Sequence, residues 1–359
     1  MGAPSKSTSR DAVTGVLLLN LGTPDSPKTR DVRRYLREFL SDPRVLDMHP
    51  WLRTILLYGV ILPSRPRRSV AAYRKIWSQE GSPLLAAGRA LREAVAETLG
   101  PDFEVALGMR YGSPSIAEAV AQLAARGVGR IVALPLFPQY ADASTGSALA
   151  RLFEATGELG VDAEIRTIGA FYQDPRFVEA WRAVAAEPLA EVRADHVVLS
   201  YHGLPEHHVR RADPSSCLER EGCCAIAGAA ARGCYRAQCF ATSRALVDAL
   251  GLDPEKTSTS FQSRLGRRPW IRPHTDEHLV ELADRGVKRL AILCPAFAAD
   301  CLETLEEAAI GFRERWLELG GEVCWVSPCP NAHPAWVAGV ASMVREAAAP
   351  PFDRDARPA

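Results

Sequence analysis

One histidine, His202, closes the apolar run His196-Val197-Val198-Leu199-Ser200-Tyr201 just before the chain breaks at Gly203-Leu204-Pro205. A short apolar run ended by Gly and Pro reads as a buried parallel strand, and open α/β sheets hold ligands outside the carboxyl ends of such strands. A neutral imidazole there can take a proton or ligate a metal near neutral pH, although a histidine merely satisfied at a strand end fits the same local pattern. A second group of reactive residues is the acidic series Asp300, Glu303, Glu306 and Glu307, in and after the loop 295–305. If a helix begins near Asp300, then Asp300, Glu303 and Glu307 share one face, where like charges repel by roughly a few tenths of a kcal/mol per pair. Glu306 reads as an acid favouring the helix dipole. Glu303, just beyond a strand, is the better candidate for binding a cation or moving a proton.

The third group is sulfur. Of nine cysteines, Cys217, Cys223, Cys224, Cys234 and Cys239 crowd together in the spacing C-x5-C-C-x9-C and then C-x4-C. In a reducing compartment, clustered thiols point to metal rather than disulfides. The spacing lacks the paired C-x2-C knuckles of common zinc sites and matches no common ferredoxin pattern, so zinc and iron–sulfur stay equally open on the residues alone. Cys294, Cys301, Cys324 and Cys329 are scattered and read as small buried hydrophobes.

The elements that must position these groups occur twice. Residues 15–21 form an apolar strand ending in Gly22-Thr23-Pro24, as 197–202 does before Gly203-Leu204-Pro205, so Leu21 and His202 hold equivalent positions. Residues 123–134 (LAARGVGRIVAL) match 282–293 (LADRGVKRLAIL) in the same order. The fold expected is α/β, two homologous Rossmann-like halves, each a parallel sheet flanked by helices, with the ligand in the cleft between them. The halves span 13–188 and 195–345, joined across 186–194, and the ends 1–12 and 350–359 are expected to be disordered. A chain of 359 residues with 47% hydrophobic residues suits two ordinary cores. Its 43 basic and 43 acidic residues leave no excess for nucleic acid. Residues 1–12 lack a signal-peptide core, and no run approaches the roughly 20 apolar residues of a membrane span, so a cytoplasmic protein is expected.

Further strings then carry a resemblance. They are Leu18-Leu19-Asn20-Leu21-Gly22-Thr23-Pro24, Tyr73-Arg74-Lys75-Ile76 with Gly81-Ser82-Pro83-Leu84, Phe137-Pro138-Gln139-Tyr140 with Ser144-Thr145-Gly146-Ser147, and Ser200-Tyr201-His202-Gly203-Leu204-Pro205. Phe261-Gln262-Ser263-Arg264, Pro269-Trp270 and Asp300-Cys301-Leu302-Glu303-Thr304-Leu305 complete the set. Over 13–345 the chain resembles the ferrochelatase family, whose members insert Fe2+ into a porphyrin to make haem. That resemblance implies the chelatase fold, with His202 as the residue that takes pyrrole protons or ligates iron and Glu303 as its acidic partner across the macrocycle. Asp300 and Glu307 would extend an acidic path. Leu21, Arg65, Tyr140, Ser144 and Trp270 would line the porphyrin, with Phe137 as a further wall. Cys301 stands where some relatives carry another histidine.

The same resemblance makes 51–68 the porphyrin-covering lip, able to rest on anionic lipid, with Arg65 meeting a propionate; on the residues alone a buried core helix with a basic exit fits as well. It implies a subgroup with a [2Fe-2S] cluster on an insertion near 214–233. The ligands would be Cys217, Cys223, Cys224 and Cys234, with Cys239 the weaker candidate, inside a framework helix. Apolar Leu21 favours protoporphyrin IX over coproporphyrin III. A chelatase for another tetrapyrrole, or an iron–sulfur or haem-binding sensor on the same scaffold, would keep the fold. The presence of both His202 and Glu303 argues for the enzyme, and the oligomeric state is not legible.

Overall fold

Residues Val16 to Leu19 have no solvent exposure at all, as expected of a strand whose sheet is covered on both faces. The computed structural model describes residues 13–349 except 213–217, 219–221, 226–227, 229–232, 265 and 267. The first half runs β1 (Thr14–Gly22), α1 (Thr29–Ser41), α2 (Pro50–Leu56), α3 (Leu62–Ile76), α4 (Pro83–Leu99), β2 (Phe103–Tyr111), α5 (Ile116–Ala125), β3 (Arg130–Pro135), α6 (Ser147–Glu158), β4 (Glu164–Thr167) and α7 (Pro175–Val192). The second runs β5 (His196–His202), α8 (Glu206–Ala212), α9 (Tyr235–Leu250), β6 (Thr257–Gln262), α10 (Thr275–Asp284), β7 (Arg289–Leu293), α11 (Arg313–Glu318), β8 (Val323–Val326) and α12 (Pro334–Ala348).

The two sheets repeat one topology, β2-β1-β3-β4 and β6-β5-β7-β8, with every pairing parallel. Register shows the duplication residue by residue. Leu134 pairs with Leu18 and its repeat partner Leu293 pairs with Leu199, so three residues further on Leu21 corresponds to His202. At the end of β1 the backbone passes so close to β2 that a Cβ on Gly22 would stand 1.8 Å from the Tyr111 carbonyl oxygen, which reserves that break for glycine.

Two boundaries differ from the sequence reading. Helix α7 continues through Pro188 to Val192, so the connection to β5 shrinks to 193–195. Helix α12, last in the second half by sequence, packs on α4 and α7 of the first half and touches β3. Trp336 of α12 is fully buried and packs at 5.5 Å against both Phe171, tilted, and Phe177, edge-on, aromatic pairs worth about 0.5–1.5 kcal/mol each beyond the area they bury. Arg130 Nη1 and Arg166 Nη1 each donate at 2.9 Å to the last carbonyls of α12, those of Ala348 and Ala347. One continuous apolar core therefore joins both sheets. Among the described residues no helix is long and apolar enough to cross a membrane.

At the end of β5 remote from His202, Ser258 Oγ lies 2.9 Å from His196 Nε2 and 2.8 Å from His278 Nε2. Burial, then the neighbouring His278, lowers the pKa of His196 from 6.5 to about 4. A folded-state value below the unfolded one means the unfolded chain binds more protons between the two. Stability should therefore be full above pH 6.5 and fall by about 2–3 kcal/mol as pH drops to 4. Urea midpoints across that range should decline less steeply for His196→Gln than for the parent; identical slopes would remove His196 from the acid response.

Candidate active site

Strand β5 carries His202 to the carboxyl edge of the second sheet, half-buried and in register with Gln262 of β6. Its Nδ1 lies 2.6 Å from the Gly203 carbonyl oxygen. A carbonyl only accepts, so Nδ1 carries a proton, and in the neutral ring the lone pair is then on Nε2. Tyr235 Oη donates to the His202 carbonyl at 2.7 Å and holds the backbone from the other side. A Cβ on Gly203 would come within 2.9 Å of the Gln262 carbonyl oxygen and 3.2 Å of Trp270 Cε3, so glycine lets Trp270 close on the histidine. The imidazole stands 6.5 Å from the Trp270 ring and 6.4 Å from that of Phe297, centre to centre.

The acidic segment Glu303–Phe312 winds as a π-helix with Leu302 just before it, so the helix does not start at Asp300. This corrects the shared face drawn through Asp300. Its carboxylate instead accepts from Thr304 Oγ1 (2.9 Å), the Cys329 amide (3.2 Å) and Asn331 Nδ2 (2.7 Å), and so anchors the loop to the connection between β8 and α12. The wide π turn stacks residues four apart nearly above one another, a geometry frequent at functional sites. Glu303 and Glu307 follow that line. Glu306 is turned to the flank, where Lys75 of α3 pairs with it at 2.9 Å. Glu307 accepts from the Ser263 amide (2.9 Å), the Ser263 hydroxyl and Gln262 Nε2 (3.3 Å). Ser263 reaches it from a left-handed φ of 68°, sparsely occupied by residues other than glycine. Burial pushes the Glu307 carboxyl up and Ser263 draws it down, while its neighbours Glu303 and His202 act in opposite senses. Gln262 pins the whole assembly: Oε1 accepts from Ser200 Oγ at 2.7 Å, and Nε2 also donates to the Glu303 carbonyl at 3.0 Å.

The opposite wall comes from the first half. Helices α2 and α3 join through a π turn, Leu57–Ile61. Trp51, Leu52, Ile55, Tyr58 and Val60 supply five of the eight large hydrophobic side chains exposed among the described residues. A buried core helix is therefore excluded here. The inner side packs Leu57, Leu62, Val70 and Tyr73 on Tyr35 and Leu36, with Leu21 and Leu302 against the same cluster. Burial lowers the pKa of half-buried Arg65 while Glu303 raises it, which puts guanidinium and carboxylate within electrostatic reach. Tyr35 and Tyr73 are pushed up by burial and, to a lesser degree, by neighbours that include Glu303. Tyr140 donates its amide to Gln238 Oε1 of α9 at 2.7 Å, and Gln139 Nε2 bridges to Thr242 Oγ1 at 2.9 Å. Ser144 sits in a third π turn, Asp142–Gly146, with its hydroxyl 3.3 Å from the Ala141 carbonyl oxygen.

Beside β5 the thiols gather. Cys223 and Cys224 occupy a 3-10 turn with sulfurs 3.9 Å apart, and Cys234 caps α9. Cys224 Sγ accepts from Arg236 Nη1 at 2.9 Å, and contact with the Cys234 thiol, with burial, pushes Cys224 well up. Cys239 is fully buried inside α9 and likewise pushed up, by burial first. Cys217 lies outside the described residues.

A family model described as Ferrochelatase matches residues 13–348, all but the two ends of the chain. The chain belongs to the ferrochelatase family. It is 46% identical over 333 residues to a ferrochelatase of Coxiella burnetii, covering 92% of this chain and 93% of that one. To the ferrochelatase of Pseudomonas paraeruginosa it is 44% identical over 337 residues, 93% of this chain and 98% of the relative. For Legionella pneumophila the figures are 43% over 332 residues, with 92% and 98% covered. Among solved structures, SirB from Bacillus subtilis with Fe3+ superposes with a TM-score of 0.53 at 14% identity, covering 94% of this chain and 96% of that one, a likeness of fold alone. The protein is accordingly a metal chelatase of the lyase class acting in haem biosynthesis.

Against the ferrochelatase motifs, the fold sets His202 beside Trp270 and within electrostatic reach of Glu307, and Glu303 within reach of both Glu307 and Arg65, with Leu21 in the neighbouring apolar cluster; the Asp300 carboxylate is turned to Asn331 instead. Sequence reasoning passed over Gln262, Ser263, Tyr235, Tyr35 and Tyr73 as working residues. Gln262, Ser263 and Tyr73 stood inside strings that carry the resemblance; nothing in the local pattern singled out Tyr35 or Tyr235.

Proposed function

We propose that this enzyme inserts Fe2+ into protoporphyrin IX to form protohaem, with His202 and Glu303 as its catalytic pair. The observation that supports this is the imidazole tied through Nδ1 to the Gly203 carbonyl, with Nε2 left for substrate and the ring in electrostatic contact with Glu307, which in turn feels Glu303. A free-base porphyrin must lose two N–H protons as one Fe2+ enters, so charge balances only if the protein receives protons. Nε2 takes one, and the Glu303–Glu307 line passes protons outward or steadies the incoming cation. Contacts at the ring's periphery supply the distortion that exposes the nitrogens. Trp270, Tyr140, Ser144 and apolar Leu21 would line the ring and its vinyl edge, and Arg65 would receive a propionate. Anaerobic incubation with Fe2+ and protoporphyrin IX should produce the haem spectrum. Turnover of coproporphyrin III alone would move the substrate assignment, and turnover of neither would end it.

The exposed apolar stretch of α2, followed by Arg67 and Arg68, suits a peripheral seat on anionic lipid. Among the described residues no cysteine is in a disulfide, which suits a reducing compartment.

Three thiols brought together beside a guanidinium fit thiolate ligation of a [2Fe-2S] cluster by Cys223, Cys224 and Cys234, with Cys217 as fourth ligand and Cys239 the weaker candidate. Such a cluster, when bound, supplies redox-active iron and sulfide with visible charge-transfer absorption. Cys234 is followed directly by Tyr235, whose hydroxyl holds the His202 carbonyl, so whatever fixes Cys234 also steadies His202. The purified protein should be reddish-brown. Serine at Cys217, Cys223, Cys224 or Cys234 should bleach it, and serine at Cys239 should bleach it least. Stoichiometric zinc without acid-labile sulfide would replace the cluster by a zinc site.

A further inference from the structure

We infer that the mouth of the cleft carries a second divalent-metal site, built from Asp47, His207 and His208 and separate from the insertion centre. Asp47 lies in the connection from α1 to the lip and belongs to the first half. His207 and His208 open α8, directly after the His202-Gly203-Leu204-Pro205 turn of the second. One ligand atom from each of the three comes within 4.8 Å of the others, all on half-buried residues. The Asp47 Oδ2 to His207 Nε2 separation is 3.5 Å, close to the edge of about 3.3 Å that bonds of 2.0–2.1 Å give a tetrahedral ion. The imidazoles stand 4.5 Å apart at 74°, so their nitrogens converge without the rings stacking.

Protonation favours the same reading. Arg268 Nη1 lies 3.2 Å from His207 Nε2, and because a guanidinium only donates, that nitrogen presents the lone pair a metal needs. Burial, aided by Arg268 for His207 and by His207 for His208, lowers both histidines, which keeps them neutral at pH 7. Asp47 stays ionised: burial works against it, but Arg211, 2.5 Å away, outweighs that. Two neutral imidazoles and one carboxylate select a borderline dication such as Zn2+, Co2+ or Fe2+ over Mg2+ or Ca2+. Arg211 and Arg268 are exposed and free to swing outward as the ion takes their place. A bound ion would tie the lip-bearing loop to the helix that follows His202, and so staple the two halves across the cleft.

Cobalt is the probe, titrated anaerobically into the purified full-length protein and followed by visible ligand-field absorption and equilibrium dialysis. Asp47→Asn, His207→Gln and His208→Gln should each weaken one equivalent of Co2+ by about 10- to 100-fold or more, with far-UV circular dichroism unchanged. His202→Ala should keep that equivalent, which separates this site from the insertion centre. Arg268→Ala should tighten Co2+ binding by removing a competing cation, and it carries the test if a ligand variant fails to fold. Parent-like stoichiometry and affinity in the three ligand variants would overturn the site. So would weaker binding in Arg268→Ala, which would make the cluster an ion-pair latch.

Discussion

Alanine at His202 is expected to lower kcat for iron insertion by roughly 10²- to 10⁴-fold, the usual worth of a positioned general base. Porphyrin binding should survive, because the walls proposed for the ring are Leu21, Arg65, Tyr140 and Trp270 rather than the imidazole. The fold should survive as well: His202 ends its strand half-buried, and among the described residues its side chain's one hydrogen bond is to the adjacent Gly203 carbonyl. Steady-state haem formation gives kcat, and porphyrin fluorescence quenching gives binding. A variant turning over at the parental rate would remove His202 from the chemistry. His202→Gln should be as inactive as the alanine variant, since a carboxamide fills the space but cannot take the pyrrole proton.

The second large effect is expected at Glu303. Glu303→Gln should cut kcat by about 10²-fold or more, whereas Glu306→Gln should leave it within a factor of about five. The contrast rests on the π winding. Glu303 shares its line with Glu307 and acts on Arg65 across the cleft, while Glu306 is spent on an ion pair with half-exposed Lys75. A pair of that exposure contributes about 0–1 kcal/mol. Measuring kcat and KM for both variants under anaerobic conditions decides the matter, and equal losses would show that the insertion centre does not distinguish the two carboxylates.

The two-half architecture was legible because a duplicated βαβ unit repeats its punctuation. The apolar strand, the glycine break and the helix-Gly-strand string occur twice in one order, and parallel pairing then sets Leu21 and His202 level. Glu303 and the thiol cluster were legible as types. Their partners were not. A run of carboxylates at 300, 303, 306 and 307 fits the 3.6-residue period and the wider π turn equally well, so Asp300 joined a face to which it does not belong. Its loop is held instead by Asn331, 31 residues away. The assignment of α12 to the second half failed for a related reason: chain order says where a helix is made, and the exposed apolar surface says where it docks.

By itself, then, the sequence determined the fold class, the duplication, the strand-end histidine and the crowding of sulfur, because these depend on local periodicity and on breaks that Gly and Pro impose. Tertiary structure alone decided the rest. It chose which carboxylate pairs with Lys75, which accepts from Ser263 and which anchors Asn331, turned the 51–60 hydrophobics outward, set Tyr235 on the His202 carbonyl and gathered Asp47 with His207 and His208. Each depends on packing between residues separated in the chain, within one half for Tyr235 and His202 and between the halves for Asp47 with His207 and His208.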